Sequence, residues 1–199
     1  MNKETYLDNA STTQLSKNVL QAIYEFHSRR LANASSVHRL GVQAAKEVER
    51  VREQIAKNLG VSANEIIFTS GGTEANNLAL KGSAWAHQEK GRHIIISSIE
   101  HSSILETAKW LGAHGFEISQ IPVDKDGYYN HQAFVALLRP DTILVSVMHA
   151  NNEVGTIQDV QKIAEVCKQR QIAFHTDACQ SFGKVSLDLS RTPITILLS

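Results

Sequence analysis

The sequence holds 199 residues, 42% of them hydrophobic, with 20 basic residues against 20 acidic ones, the profile of one ordinary globular domain or the larger part of a two-domain protein. That balance excludes a nucleic-acid binder by charge, since Lys and Arg are spread along the chain and sit beside Glu, as in KEVERVREQ (46–54), the pattern of a solvated helix face. Cys167 and Cys179 make no disulfide framework, no secretory apolar region opens the chain, and no apolar run nears the roughly 18 residues of a membrane span, so a reducing cytoplasm is the expected compartment.

In chain order, Ser16 can cap a helix that brings Val19, Leu20, Ile23 and Phe26 to one side. A second helix follows Gly41, with Val42, Ala45, Val48, Val51, Ile55 and Leu59 three or four apart, and Gly60 ends it. EIIFT (65–69) reads as a strand, followed by a helix from about Thr73 to His87 and a strand HIIIS (93–97). A helix from about Ile104 comes next, which Ser103 and Glu106 could start as a capping box. Then come FEISQIPV (116–123), a helix near 131–138, TILVSVM (142–148), a helix over 159–169, IAFHTD (172–177) and a closing ITILLS (194–199). Short β-rich runs separated by helices predict an α/β fold: a mainly parallel sheet covered on both faces, without internal repeat or linker.

In such a sheet ligands bind beyond the carboxyl ends of the strands. Four segments lie there: TSGGTEANN (69–77), SSIEHSS (97–103), MHANNEVGT (148–156) and HTDACQS (175–181). In the first, two glycines directly before a helix let backbone approach a ligand, and the helix start offers N–H groups suited to a phosphate; Thr73 adds a hydroxyl. The segment lacks both the GK[ST] ending of a phosphate-binding Walker loop and the GxGxxG spacing of a dinucleotide site, and a Gly-Gly turn also serves structure alone. A lone histidine near a helix start, such as His101, is more often a surface or satisfied polar residue, and its flat ring could instead stack on a planar cofactor or pass protons near neutral pH. Asn151 and Asn152 fit simple turn positions. A metal site has little support, because His38, His101, His149 and His175 show no paired ligand spacing and no CxxC occurs.

Asp177 changes this balance. A carboxylate at the end of a buried strand needs a cationic partner or several donors. An arginine is the structural answer, and the protonated ring nitrogen of pyridoxal phosphate is the functional one. A phosphate cradle, a stacking-capable histidine and an acid at three strand ends describe one flat, anionic, pyridine-containing ligand.

The same residues carry a family resemblance. YLDNASTT (6–13), NASSVHRLG (33–41), IIFTSGGTEANNLAL (66–80), EHSSIL (100–105), ILVSVMHANNEVGTIQ (143–158) and HTDACQSFGKVSLDLS (175–190) run in order along the chain. Together they resemble the N-terminal half of the class V, fold-type I pyridoxal phosphate enzymes, and specifically the cysteine desulfurases of the NifS and IscS kind. The resemblance implies a short N-terminal segment (1–15) belonging to the small domain and active-site rim, and a partial large cofactor-binding domain (16–199) left incomplete at its C-terminus.

Carried over by position, it implies that Thr73 and the backbone around Gly72 bind the cofactor phosphate and that His101 stacks on the ring and assists proton transfer. Asp177 pairs with the ring nitrogen, Gln180 hydrogen-bonds the phenolic oxygen, and Asn152 sits beside that edge and the substrate carboxylate. Asp177→Ala should then lose the chemistry more than cofactor affinity. The implied parent is a cytoplasmic homodimer that converts L-cysteine to L-alanine and passes the sulfur, as a persulfide, to an acceptor such as an iron–sulfur scaffold or into tRNA thiolation.

The departures matter as well. In the family the cofactor-binding lysine follows, in a Ser-x-His-Lys segment, the strand that ITILLS resembles, and the persulfide cysteine lies further on. Neither Cys167 nor Cys179 matches that cysteine, and Ala34 replaces the family's usual proline. This chain alone is therefore expected not to turn over, and a second polypeptide, a dimer partner or further residues are expected to complete its sheet. A selenocysteine lyase or another class V aminotransferase would share most of these residues. From other classes, a non-catalytic interaction module and a nucleotide-binding α/β domain are the alternatives.

Overall fold

The structure, a computed structural model, describes residues 5–29, 32–187, 189 and 192–198. The chain divides into two compact units, residues 1–67 and 68–199.

In the first unit, helix α1 (Lys17–Ser28) starts where Ser16 Oγ accepts the Val19 N–H at 3.3 Å, as its capping residue predicts. No residue of α1 is buried. Helix α2 (Arg39–Leu59) begins three residues earlier than expected, because His38 Nδ1 accepts the Gly41 N–H at 3.4 Å and serves as the cap. A Cβ on Gly41 would come within 2.2 Å of the Ser36 carbonyl oxygen, so only glycine lets the 33–36 turn lie against the helix there. Gly60, with φ of 71°, closes α2 in the left-handed conformation. The strand expected at 65–69 does not form. Ala63–Glu65 is a single 3-10 turn, and residues 66–69 pair with no described strand. An apolar run becomes a strand only where a ladder partner takes up its backbone groups.

The second unit is a five-stranded sheet in the order β2-β1-β3-β4-β5, parallel throughout. Its strands are β1 (His93–Ser97), β2 (Glu117–Ile121), β3 (Thr142–Ser146), β4 (Ala173–Asp177) and β5 (Ile196–Leu198). Helices α3 (Gly72–His87), α4 (Ser102–Ala113), α5 (His131–Leu137) and α6 (Val160–Gln169) connect or flank them. β1, β3 and β4 are buried at every position, which is why they read as continuous apolar runs rather than as alternating ones.

Alternate side chains of each strand feed two cores. Ile94, Ile96, Leu144 and Ala173 pack with Leu80, Ala84, Ile104 and Leu111 of α3 and α4. Ile95, Val145 and Phe174 pack on the other face with Phe134 of α5 and Val160, Ile163 and Cys167 of α6. Helices on both faces, as expected, leave the strand ends as the route to a ligand. The chain runs from β1 outward to β2 and then back past β1 to β3, so the direction of winding reverses between β1 and β3. The crevice at the carboxyl ends of those two strands is the favoured binding place in this class of sheet. No helix among the described residues is long and apolar enough to cross a membrane.

Candidate functional site

The carboxyl ends of β1, β3 and β4 and the start of α3 meet at one end of the sheet. Backbone bonds set the spacing: the His149 N–H donates to the Asp177 carbonyl at 2.9 Å, and the Ala178 N–H to that of Leu198 at 2.8 Å. Glu100, in the loop after β1, reaches across the winding reversal, where its Oε1 accepts from Ser97 Oγ at 2.6 Å and from the Met148 N–H at 2.7 Å. Asn151 Nδ2 donates to the Ile99 carbonyl at 3.0 Å, while its Oδ1 accepts the Glu153 and Val154 N–H groups. Asn151 is thus the turn-forming residue of its pair. The neighbouring Asn152 is half-buried and makes no side-chain hydrogen bond among the described residues.

Asp177 ends β4 on the face covered by α3 and is 5% exposed. Its Oδ2 accepts from Asn76 Nδ2 at 2.8 Å and its Oδ1 from the Cys179 N–H at 2.9 Å. No arginine or lysine pairs with it among the described residues, so the structural answer that the sequence allowed is not the one used. With only neutral donors, the Asp177 carboxylate lacks the charge partner that a cationic ligand group could supply.

Gly72 and Thr73 open α3, where helix geometry leaves the first N–H groups without carbonyl partners. A Cβ on Gly72 would come within 3.1 Å of Cys179 Sγ, so the absent side chain lets the helix start approach the turn after β4. That turn also carries Gln180, half-buried and free of side-chain hydrogen bonds among the described residues. Burial first, and then the Asp177 charge, push the Cys179 thiol up to about 12.

His101 corrects the expected start of α4. The helix begins at Ser102, and its cap is His101, whose Nδ1 accepts the Ser103 N–H at 3.2 Å. Ser103 Oγ lies 2.8 Å from the same nitrogen. The ring is therefore held by its Nδ1 edge. Glu106 serves no capping box; it faces Lys109 at 3.9 Å on the exposed side of the helix.

Three residues of this cluster were not singled out as site residues from the sequence. Asn76 is 1% exposed and falls on the stripe 76, 79, 80, 83 that buries α3, so a polar residue in an apolar helical register was its available signal. Ser103 joins Asn76 to His101. Glu100 is 5% exposed, and burial raises its carboxyl to about 8, with the Asp177 charge adding a smaller push. Nothing in SSIEHSS announces that burial.

The cluster fits pyridoxal phosphate: a helix start that a Cβ would obstruct lies beside a buried carboxylate lacking a cation. Thr73, Gly72 and Asp177 would hold the group's phosphate and ring nitrogen. A groove of about 640 Å³ runs between α3 and α4; it shares Thr73 and Ser103 with this cluster but continues to Lys81 and Trp110.

The chain is similar to known proteins along nearly its whole length. A curated cysteine desulfurase IscS of Dictyoglomus turgidum is 45% identical over 197 residues, 99% of this chain and 50% of that protein. A solved structure named SspA in complex with cysteine superposes with a TM-score of 0.91 at 38% identity, covering 98% of this chain and 56% of that one. A NifS-like protein does so at 0.89 and 39%, covering 94% and 52%. The chain spans about half the length of the curated relatives it matches, and its fold is that of the NifS-like pyridoxal phosphate-dependent transferases. The aminotransferase class-V model matches residues 5–199, and with so little of the sequence outside the match, the chain belongs to that family, whose cysteine desulfurase members depend on pyridoxal 5′-phosphate.

Proposed function

We propose that the chain supplies the cofactor-binding half of a pyridoxal phosphate-dependent cysteine desulfurase, which releases L-alanine from L-cysteine and passes on the sulfur as an enzyme persulfide. The observation that carries this reading is Asp177: a strand-end carboxylate, 5% exposed, with donors that are all neutral. The bound cofactor supplies an electron-accepting ring that makes a substrate Cα proton removable.

Each of the chain's residues then has a physical task. Asp177 holds a proton on the ring nitrogen, because a buried carboxylate favours a charged donor over solvent. Gly72 and Thr73 donate to the phosphate from the start of α3, where the helix dipole favours an anion. His101, fixed at Nδ1 by Ser103, offers its ring face for stacking and its free nitrogen for proton transfer. Gln180 and Asn152, both half-buried with uncommitted amides, are assigned to the phenolic oxygen and to the edge beside the substrate carboxylate.

Residues 1–15 are assigned to the small domain and active-site rim, of which residues 1–4 lie outside the described residues. We place the complete enzyme in the cytoplasm as a homodimer, with an iron–sulfur scaffold protein as one acceptor of sulfur; this rests on the family motifs, including SSVHRLG (35–41), in which Val37 is 96% exposed.

Two measurements test the reading. Purified chain is desalted after incubation with pyridoxal phosphate, and retention of the cofactor's absorbance is compared with that of the Asp177→Ala variant. Alanine release from L-cysteine and from L-selenocysteine by the complete enzyme then separates a desulfurase from a selenocysteine lyase. No retained cofactor on the chain, or no alanine from cysteine, would refute the proposal.

A further inference from the structure

We propose that Asn76 is a positioning residue of this site: its amide fixes the Asp177 carboxylate for a protonated pyridine nitrogen and ties it, through Ser103, to the His101 end of α4. The inference rests on the pyridoxal phosphate reading above and assigns a task to a residue to which the family resemblance gave none.

The hydrogen bonds define the role. Asn76 Nδ2 donates one proton to Asp177 Oδ2 and the other to Ser103 Oγ, each at 2.8 Å. The orientation of the amide is dictated by chemistry, because an ionised carboxylate only accepts and the opposite orientation would set oxygen against oxygen. Ser103 Oγ, occupied as an acceptor by Asn76, has its own proton for His101 Nδ1 at 2.8 Å. One amide therefore connects the acid after β4 to the histidine at the start of α4, although these residues are far apart in sequence.

Asn76 is not placed for its own satisfaction. Its Oδ1 is buried and has no hydrogen-bond partner among the described residues, so the side chain gives both donors to the network and receives nothing from them. A lysine or arginine here would hold Asp177 as well but would cancel its charge. A neutral amide orients the carboxylate and leaves the charge available, as a site for a cationic ring nitrogen requires. With the Cys179 N–H on Oδ1, the Asn76 bond on Oδ2 sets the carboxylate plane from both ends.

The test separates recognition of the ring nitrogen from general binding. Affinity of the 199-residue chain is measured by equilibrium dialysis for pyridoxal 5′-phosphate and for 1-deazapyridoxal 5′-phosphate, in which C–H replaces the ring nitrogen. Wild type should prefer the pyridine. Asn76→Ala should lose about tenfold of that preference, the worth of one hydrogen bond to a charged group, while its affinity for the deaza compound stays the same. Ser103→Ala, which frees one edge of the amide, should lose a smaller part.

A merely structural role would lower both affinities together. An unchanged preference in folded Asn76→Ala overturns the inference, as does an unchanged preference in Ser103→Ala where the Asn76 variant does not fold. A wild-type chain that binds neither compound, or does not discriminate, instead overturns the cofactor reading on which the inference stands.

Discussion

Glu100 Oε1 accepts the Met148 N–H at 2.7 Å, so a carboxyl from the loop after β1 closes the point where the sheet reverses its winding toward β3. The other oxygen, Oε2, is buried without a hydrogen-bond partner among the described residues. Burial therefore favours the neutral acid and raises Glu100 from 4.5 to about 8. The folded protein binds this proton more tightly than the unfolded chain, and the associated stability is fully present below pH 4.5 and lost as pH rises toward 8. Each pH unit inside that window costs up to about 1.4 kcal/mol. Glu100→Gln keeps the accepting oxygen and removes the titration. Urea unfolding should show the variant more stable than wild type at pH 8 by a few kcal/mol and unaffected by this loss.

His175 works in the opposite direction. It lies on β4 with Nδ1 2.8 Å from Ser146 Oγ and a buried Nε2 without a partner, and burial lowers it from 6.5 to about 4. The unfolded chain binds this proton more readily, so the stability it contributes is complete above pH 6.5 and lost as pH falls to 4. Between pH 4.5 and 6.5 the Glu100 and His175 slopes oppose each other. In the wild type Glu100 should therefore offset part of the acid-side loss that His175 causes, and that His93 and His149, which burial also lowers, increase; Glu100→Gln should steepen that loss. A carbon-13 titration of the His175 ring checks the assignment by remaining neutral down to about pH 4.

Cys167 and Cys179 are both predicted to resist alkylation, for different reasons. Cys167 is buried, which blocks access and raises its thiol to about 12; Cys179 is an exposed residue, and its resistance rests on its thiol alone, raised to about 12 by partial burial of the sulfur first and then by Asp177. The thiolate is the reactive form, and at neutral pH either cysteine holds very little of it. Iodoacetamide at pH 7 should label the folded chain far more slowly than the urea-unfolded chain. Rapid labelling of Cys179 would reopen it as a sulfur carrier.

Much of the architecture was legible because β1, β3 and β4 are buried on both faces, so that residues 94–96, 143–145 and 173–174 form short apolar runs, although buried polar residues such as Ser97, His175 and Asp177 share these strands. Helix caps at Ser16 and Gly60 were equally plain, since each satisfies local backbone groups within a few residues. EIIFT misled because its composition suits a strand, whereas a strand also needs a neighbour, and sequence contains no record of the neighbour. The site divides along the same line. Thr73, His101 and Asp177 stand at strand ends where chemistry is expected, whereas Asn76 acts across 101 residues of sequence and Glu100 across 48. Their partners exist only after the sheet has assembled.

Asp177 yields the prediction that bears most directly on function. In the ligand-free chain its charge is buried with two neutral donors, an arrangement that costs desolvation and gains two charge-assisted hydrogen bonds. Replacing it with alanine removes the buried charge but strands the Asn76 amide and the Cys179 N–H, so the two effects offset and stability should change by no more than about 1–3 kcal/mol. Binding should weaken moderately, because the phosphate contacts proposed for Gly72 and Thr73 would remain. Chemistry should suffer far more. Without an acid to hold its proton the ring nitrogen accepts electrons poorly, and alanine release from L-cysteine by the complete enzyme should fall by about 10²- to 10³-fold, the scale of losing a preorganised electrostatic partner. Equal losses in affinity and turnover would instead mean that Asp177 binds the cofactor without tuning it, and a variant that fails to fold would make the carboxylate part of the sheet's own structure.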